Sequence, residues 1–305
     1  MKAGTNLERV LASGKFAVTA EAGPPKGTSP EVIRKKGELL RNYTDAVNVT
    51  DNQTAIVRMS SWAGCLILKQ MGLDPVMQMV VRDRNRLAIQ ADALGAVALG
   101  IGNILCLSGD HQKFGNHPTA KGVFDIDSIQ LVQTMKRMRD EKKFINGEDI
   151  AGELPLFIGA AANPFADPLE YRASRLAKKV KAGADFVQTQ AVFDIARFKK
   201  WMDMVNAMGL SQQVHILAGL IPMKSVGMAR YMKSSVPGVI VPDDIVKRME
   251  QAKSAKEEGV KITLEIIQQV KEVPGVRGIH IMAVGWEDIV PEVVEKAGLM
   301  PRPKV

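Results

Sequence analysis

The residues best placed for chemistry are polar groups that interrupt apolar runs. Glu21 lies in FAVTAEA, between Ala20 and Ala22 and just before Gly23-Pro24-Pro25. A carboxylate among small apolar neighbours is expected to lose water, which suits it to donate a proton near neutral pH. The competing reading is a structural carboxylate paired with an arginine or lysine of a neighbouring strand. Asp110 follows Gly109 at the end of NILCLSG, where glycine lets backbone approach a ligand closely. A loop cap explains Asp110 equally well. Gln188 and Gln190 flank Thr189 in DFVQTQ. In a strand the two glutamines share one face and the threonine has the other. Two amides on one face suit a planar heterocycle with paired donors and acceptors, or else a hydrogen-bonded cap on the sheet. His111 and His117 are not at a usual metal spacing, and His215 and His280 fall in apolar runs, where core histidines are common. No zinc motif and no Ser-His-Asp arrangement can be assigned. The 16 methionines are most simply core filler.

These groups need elements to position them. Short apolar runs occupy about 16–22, 45–50, 75–81, 103–109, 155–162, 185–190, 214–221 and 278–284. Amphipathic segments follow each of them. Ser29 as N-cap, Pro30 in the first turn and Glu31 predict the first helix. Further helices are expected over about 54–72, 84–99, 127–143, 167–182, 194–208, 224–234, 242–271 and 286–297. The strand runs are nearly continuous in apolar residues, as parallel strands covered on both faces should be. Strands that alternate with helices make right-handed βαβ units. Eight such units over the whole chain, residues 1–305, predict a single-domain (β/α)8 TIM barrel. A doubly wound sheet is the alternative, but it calls for a glycine fingerprint after the first strand. The cluster Gly95, Gly100 and Gly102 instead follows a helix and precedes the fourth strand. In a barrel, strand ends meet at one mouth. Glu21, Thr50-Asp51, Gln78 with Arg82, Ser108 to Asp110, Asn163, Gln188 with Gln190, Pro222 with Lys224, and Trp286 all fall there. The long irregular stretch 110–126 opens on the same face.

Composition excludes several classes. Hydrophobic residues are 46% and charged residues 24%, which rules out a disordered or collagen-like chain. Only Cys65 and Cys106 occur, without a CxxC pair, so a reducing cytoplasm is expected and a metal or cluster within the chain is not. No run of 18 apolar residues exists, and MKAGTNLERVLASGKF lacks a signal-peptide core. The net charge of +8 arises from basic residues dispersed among acids along helices. Such a balance can attract nucleic acid, a membrane surface or an anionic small molecule, but solvated helix faces are the simplest reading, and no aromatic-interleaved basic stretch points to nucleic acid.

Several of these segments together match a family. VTAEAGPP, LSGD (107–110), KKVKAGADFVQTQAVFD (178–194), GLIP (219–222) and GIHIM (278–282) resemble methylenetetrahydrofolate reductase in order and spacing across nearly the whole chain. The resemblance is to a short form: the catalytic barrel without the C-terminal regulatory domain of the eukaryotic enzymes. It implies reduction of 5,10-methylenetetrahydrofolate to 5-methyltetrahydrofolate through a flavin. It further implies Glu21 as the acid that protonates N10, and Asp110 as the carboxylate near flavin and pterin. Gln190 and Thr50 would contact substrate beside Asp110. Gln78, Ser108, Gly109, Asp110, Asn163, Asp167, Arg172 and Lys179 would hold the flavin. Some positions depart from the family pattern. Ser108 stands where an arginine is usual, Asn163 where a tyrosine is, Asp167 where a histidine is, and Arg172 where a ribose-binding aspartate is. A folate-binding arginine falls at Trp286. FAD is the family default, and Arg172 makes FMN the alternative. The reductant implied is NADH or NADPH, or an electron-donating partner subunit with zinc and iron–sulfur centres, in a homo- or hetero-oligomer. A second reading is a flavin-free folate-binding barrel that acts as methyltransferase or as the carrier subunit of a larger complex.

Overall fold

The structure is a computed structural model that describes residues 1–236 and 238–305. Eight parallel strands close into a barrel in chain order: β1 (Ala17–Ala22), β2 (Ala46–Val49), β3 (Pro75–Val80), β4 (Asn103–Leu107), β5 (Phe157–Ala162), β6 (Phe186–Ala191), β7 (His215–Leu220) and β8 (Val276–Ile281). β8 pairs back onto β1, with Thr19 opposite His280. The (β/α)8 barrel expected from alternating runs is therefore the observed architecture. Around it lie α1 (Asn6–Ala12), α2 (Glu31–Leu40), α3 (Ser61–Gln70), α4 (Arg86–Ala98), α5 (Ser128–Asp140) and α6 (Glu170–Ala182). The rest are α7 (Ile195–Ala207), α8 (Val226–Ser235), α9 (Asp243–Gln251), α10 (Ala255–Lys271) and α11 (Val290–Lys296). None of the helices in the described residues is long and apolar enough to cross a membrane.

Strand parity fills the interior in layers. At the N-terminal end, Ala17, Ala46, Val76, Phe157, Phe186 and Leu217 pack together, and Leu7, Val10 and Leu11 of α1 close the floor beneath them. Phe157 and Phe186 stack with ring centroids 5.1 Å apart. Gly159 makes room for them, since a Cβ there would meet the Phe186 ring at 2.3 Å. A polar layer of Thr19, Asn48, Gln188 and His280 lies above. Outside the barrel, Asp185 ties β6 to its neighbours. It accepts from Arg139 Nη1 at 2.6 Å and from the Ile158 amide at 2.8 Å, with both charged side chains buried.

Four helix expectations are corrected. The helix expected over 54–72 begins only at Ser61, because Asn52, Thr54 and Ala55 take left-handed φ of 45°, 58° and 55°. The segment 242–271 is two helices, and Ser254 caps the second by accepting from Glu257 N at 3.3 Å. Pro30, not Ser29, is the residue before α2, and no side chain caps that helix. A single 3-10 turn, Glu287–Ile289, precedes α11 where one continuous helix was expected. α1 was not anticipated. Its seven residues make two turns, capped by Thr5, and are too short for a clear period.

Candidate functional site

A cavity of 320 Å³ opens at the C-terminal ends of the strands. Its wall divides by chemistry. Leu105, Leu107, Ala161, Ala162 and Met282 give an apolar floor, and Gln78, Asn163, Gln188 and Gln190 bring four amides. Arg172, Arg175 and Lys179 add three cations. They come from α6 at i, i+3 and i+7, one face of that helix. Glu21 and His280 complete the lining.

Glu21 is where its strand parity puts it: on the inner face at the end of β1, with its side chain 12% exposed. Gln78 Nε2 donates to its Oε1 at 3.1 Å. His280 Nε2 lies 3.6 Å from the same oxygen, an electrostatic contact rather than a hydrogen bond. Among the described residues no lysine or arginine pairs with Glu21, so the structural ion pair is not what holds it. Behind His280 runs a buried chain of polar groups. Its Nδ1 is 2.9 Å from Thr19 Oγ1, and Gln188 Nε2 donates to that hydroxyl at 3.2 Å. Gln188 in turn exchanges hydrogen bonds with Asn48 at 2.7 and 3.1 Å. The Thr19 hydroxyl also reaches the Ile279 carbonyl at 3.4 Å, so it can donate to or accept from His280 Nδ1.

Lys179 is buried, and its Nζ donates to the Ala161 carbonyl at 2.5 Å. Burial, and then the nearby Arg175 charge, push its pKa down to about 8. An anion brought to this wall relieves both effects. Arg172 is fixed by the carbonyl of Asp167 at 2.7 Å and lies over the Tyr171 ring.

Of the residues singled out in the sequence, Glu21, Gln78, Asn163, Arg172, Lys179, Gln188 and Gln190 meet at this cavity. Thr50, Ser108, Gly109, Asp110 and Asp167 do not line it. Thr50 is buried, and its hydroxyl has no partner among the described residues. The Ser108 carbonyl accepts from Arg82 N, and Gly109 adopts φ +85° against Val80 and Arg82. Asp110 is exposed, and its Oδ2 accepts from Thr54 N at 3.0 Å, so the carboxylate bridges two loops. Asp167 pairs with Arg197 at the surface. Arg82 is a buried post that donates to the carbonyls of Asp110 and Asn52. Asp51 is likewise structural, accepting from Val80 N and Arg84. Lys224 donates to the Gly285 carbonyl, and Trp286 is buried beneath Lys256. Two lining residues escaped the sequence reading. Arg175 was hidden among the charges of α6, although its spacing from Arg172 and Lys179 carried the signal. His280 is a satisfied core histidine as expected, yet it also faces the cavity.

A closed parallel barrel with a polar, cation-walled cavity at its strand C-termini defines a (β/α)8 protein with its ligand site on the face where that fold carries one. The family profile of methylenetetrahydrofolate reductase matches residues 6–298, and the chain belongs to that family. Methylenetetrahydrofolate reductase 2 of Schizosaccharomyces pombe is 23% identical over 317 residues, covering 96% of this chain and 47% of its own. The probable methylenetetrahydrofolate reductase (NADPH) of Caenorhabditis elegans is 23% identical over 310 residues, covering 96% and 44%. The chain thus spans less than half the length of these curated relatives. Among solved structures, a Clostridium thermocellum protein that binds two copies of 5-methyl-5,6,7,8-tetrahydrofolic acid superposes with a TM-score of 0.66. It is 14% identical, over 96% of this chain and 100% of that one, a likeness of fold.

Proposed function

We propose that this chain reduces 5,10-methylenetetrahydrofolate to 5-methyltetrahydrofolate, with a flavin in the barrel mouth and Glu21 as the acid. Family membership supports the reaction. The observation that carries the mechanism is Glu21 itself: a nearly buried carboxyl at the cavity with amide and imidazole neighbours and no cationic partner among the described residues.

The cavity's donor set fits a flavin. Three cations on one wall suit a phosphate, which FAD and FMN both carry, and buried Lys179 has a single carbonyl as its acceptor. The amides of Gln78, Asn163 and Gln190 suit the edge of a flat heterocycle, and the apolar floor suits its face. In this reading Arg172, Lys179 and Asn163 hold the cofactor, with Gln78 shared between it and Glu21. Ser108, Gly109 and Asp167 act from the surrounding loops. When bound and reduced, a flavin supplies a hydride to the methylene carbon.

The protein's own part is proton delivery and orientation. Glu21 gives its proton to N10 of the substrate, and the bond from N10 to the methylene carbon breaks. This leaves positive charge on the N5 side, where a bound reduced flavin would supply the hydride, so that one proton and one hydride account for the product. Gln78 fixes one Glu21 oxygen, and His280, backed by Thr19, fixes the approach to it. Gln190 orients the pterin, with the buried hydroxyl of Thr50 nearby. Asp110 contacts the pterin through the carboxylate oxygen that Thr54 N does not hold. The buried free thiols Cys65 and Cys106 accord with a cytoplasmic setting.

The test is to purify the protein anaerobically, identify any released cofactor by mass spectrometry and assay folate turnover in both directions. NADH, NADPH and an artificial donor are compared, and copurifying chains are identified in the same preparation. Flavin-dependent turnover supports the proposal. Folate binding without flavin uptake favours the methyltransferase or carrier reading. A colourless protein that stays inactive after FAD or FMN is added contradicts the proposal.

A further inference from the structure

A second cleft, of 350 Å³, lies on the other side of Glu21. Among the described residues Glu21 is the one group common to the linings of the cleft and the central cavity. Pro24, Pro25, Val32, Ala283 and Val284 give the cleft apolar walls. Its cations are Lys36 and Arg58. Lys36 is already neutralised, pairing with Glu287 at 2.5 Å and donating to the Gly23 carbonyl at 2.9 Å. Arg58 is different. Its Nη1 donates to the Pro24 carbonyl at 3.0 Å, and no carboxylate pairs with it among the described residues. The cleft therefore holds an apolar slot, the carboxylates of Glu21 and of Lys36-bound Glu287, and a half-buried guanidinium with no carboxylate in pairing distance among the described residues.

We infer that this cleft receives the aminobenzoyl-glutamate half of the folate and that Arg58 anchors its carboxylates. The inference rests on the proposed reaction and adds a substrate-binding residue to it. The geometry follows from the substrate's connectivity. N10 joins the pterin's methylene to the benzoyl ring, so an acid that protonates N10 sits at the junction between the two halves. Glu21 occupies such a junction between two cavities. One half then lies in the barrel mouth and the other in the cleft, where flat apolar walls match the aryl ring and Arg58 offers a planar fork to a carboxylate. Arg58 lies in the strained 52–60 segment, whose Met59 amide donates to the Pro25 carbonyl. Tail binding thus couples directly to the loop that follows β1.

The test compares 5-methyltetrahydrofolate with its glutamate dimethyl ester, which keeps the rings and removes the tail charge. Affinities for the holoprotein are measured by calorimetry. The wild type should prefer the free acid by about tenfold or more, the usual scale of one charge-assisted contact. Arg58→Gln should reduce that preference to about twofold without changing affinity for the ester, and Arg58→Lys should restore part of it. Melting curves confirm that each variant is folded. Retention of the full preference in Arg58→Gln, or its absence in the wild type, overturns the inference and leaves the reaction standing. A wild type that binds neither compound overturns the proposed reaction and the inference with it.

Discussion

Lys179→Met should make the protein more stable and a weaker flavin binder at once. Lys179 is 8% exposed, and burial lowers its pKa from 10.5 to about 8. A lysine less basic in the folded chain than in the unfolded one disfavours folding while it is charged in both. That cost is fully present below about pH 8, shrinks as pH rises toward 10.5 and is gone above it. The interval corresponds to about 3 kcal/mol. Loss of the hydrogen bond to the Ala161 carbonyl offsets about 1 kcal/mol of the gain. A net gain of about 2 kcal/mol should raise the melting temperature of the cofactor-free protein by roughly 4 °C at pH 7. The gain should narrow when the melt is repeated near pH 9.5. Flavin affinity should fall by about tenfold or more, because one charge-assisted phosphate contact is lost. Calorimetric titration with FAD and FMN reads that term. A variant that melts below wild type at pH 7 and binds both flavins normally would refute the electrostatic account of this wall.

Other perturbations test the scaffold and the hydrogen-bonded chain behind Glu21. Gly159→Ala drives a methyl into the Phe186 ring, which a Cβ would meet at 2.3 Å, and should cost about 1–3 kcal/mol in urea melts with no direct effect on ligand binding. Asp185→Asn removes one of the two carboxylates that hold buried Arg139, leaving Asp140, and takes away the partner of Lys2; it should destabilise by about 2 kcal/mol in urea melts. His280→Phe strips the cavity-facing imidazole and the Thr19 contact. It should lower kcat for folate reduction far more than it changes KM or flavin uptake. An unchanged kcat would assign His280 to packing alone.

The barrel was legible because each apolar run is short, nearly continuous and followed by a helical period. Parity also held for the site. Glu21, Gln78, Gln188 and Gln190 were read as strand-end groups and meet at one cavity. What parity did not reach depends on loops. Asp110 looked like a mouth carboxylate, but the left-handed turn at Asn52 to Ala55 presents Thr54 N to it, and no propensity predicts three non-glycine residues there. The resemblance placed Ser108, Gly109, Asp110 and Asp167 at the flavin, whereas the structure has them in backbone contacts or at the surface. His280 shows the opposite limit. Its strand position was right, but its contact with Glu21 arises from β8 closing on β1, a pairing 261 residues apart that only the closed barrel reveals. Arg58 was invisible for the same reason, since its cleft forms between the loops after β1 and β8.

The most direct test of the account is Glu21→Gln studied in separate half-reactions. Glutamine keeps an acceptor for Gln78 and removes only the proton. Reduction of the flavin by its donor and affinity for 5-methyltetrahydrofolate should stay near wild type. Folate-dependent reoxidation should slow by about 100- to 10,000-fold, the usual worth of a general acid. Folate reoxidation within threefold of wild type would contradict the claim that Glu21 carries the proton.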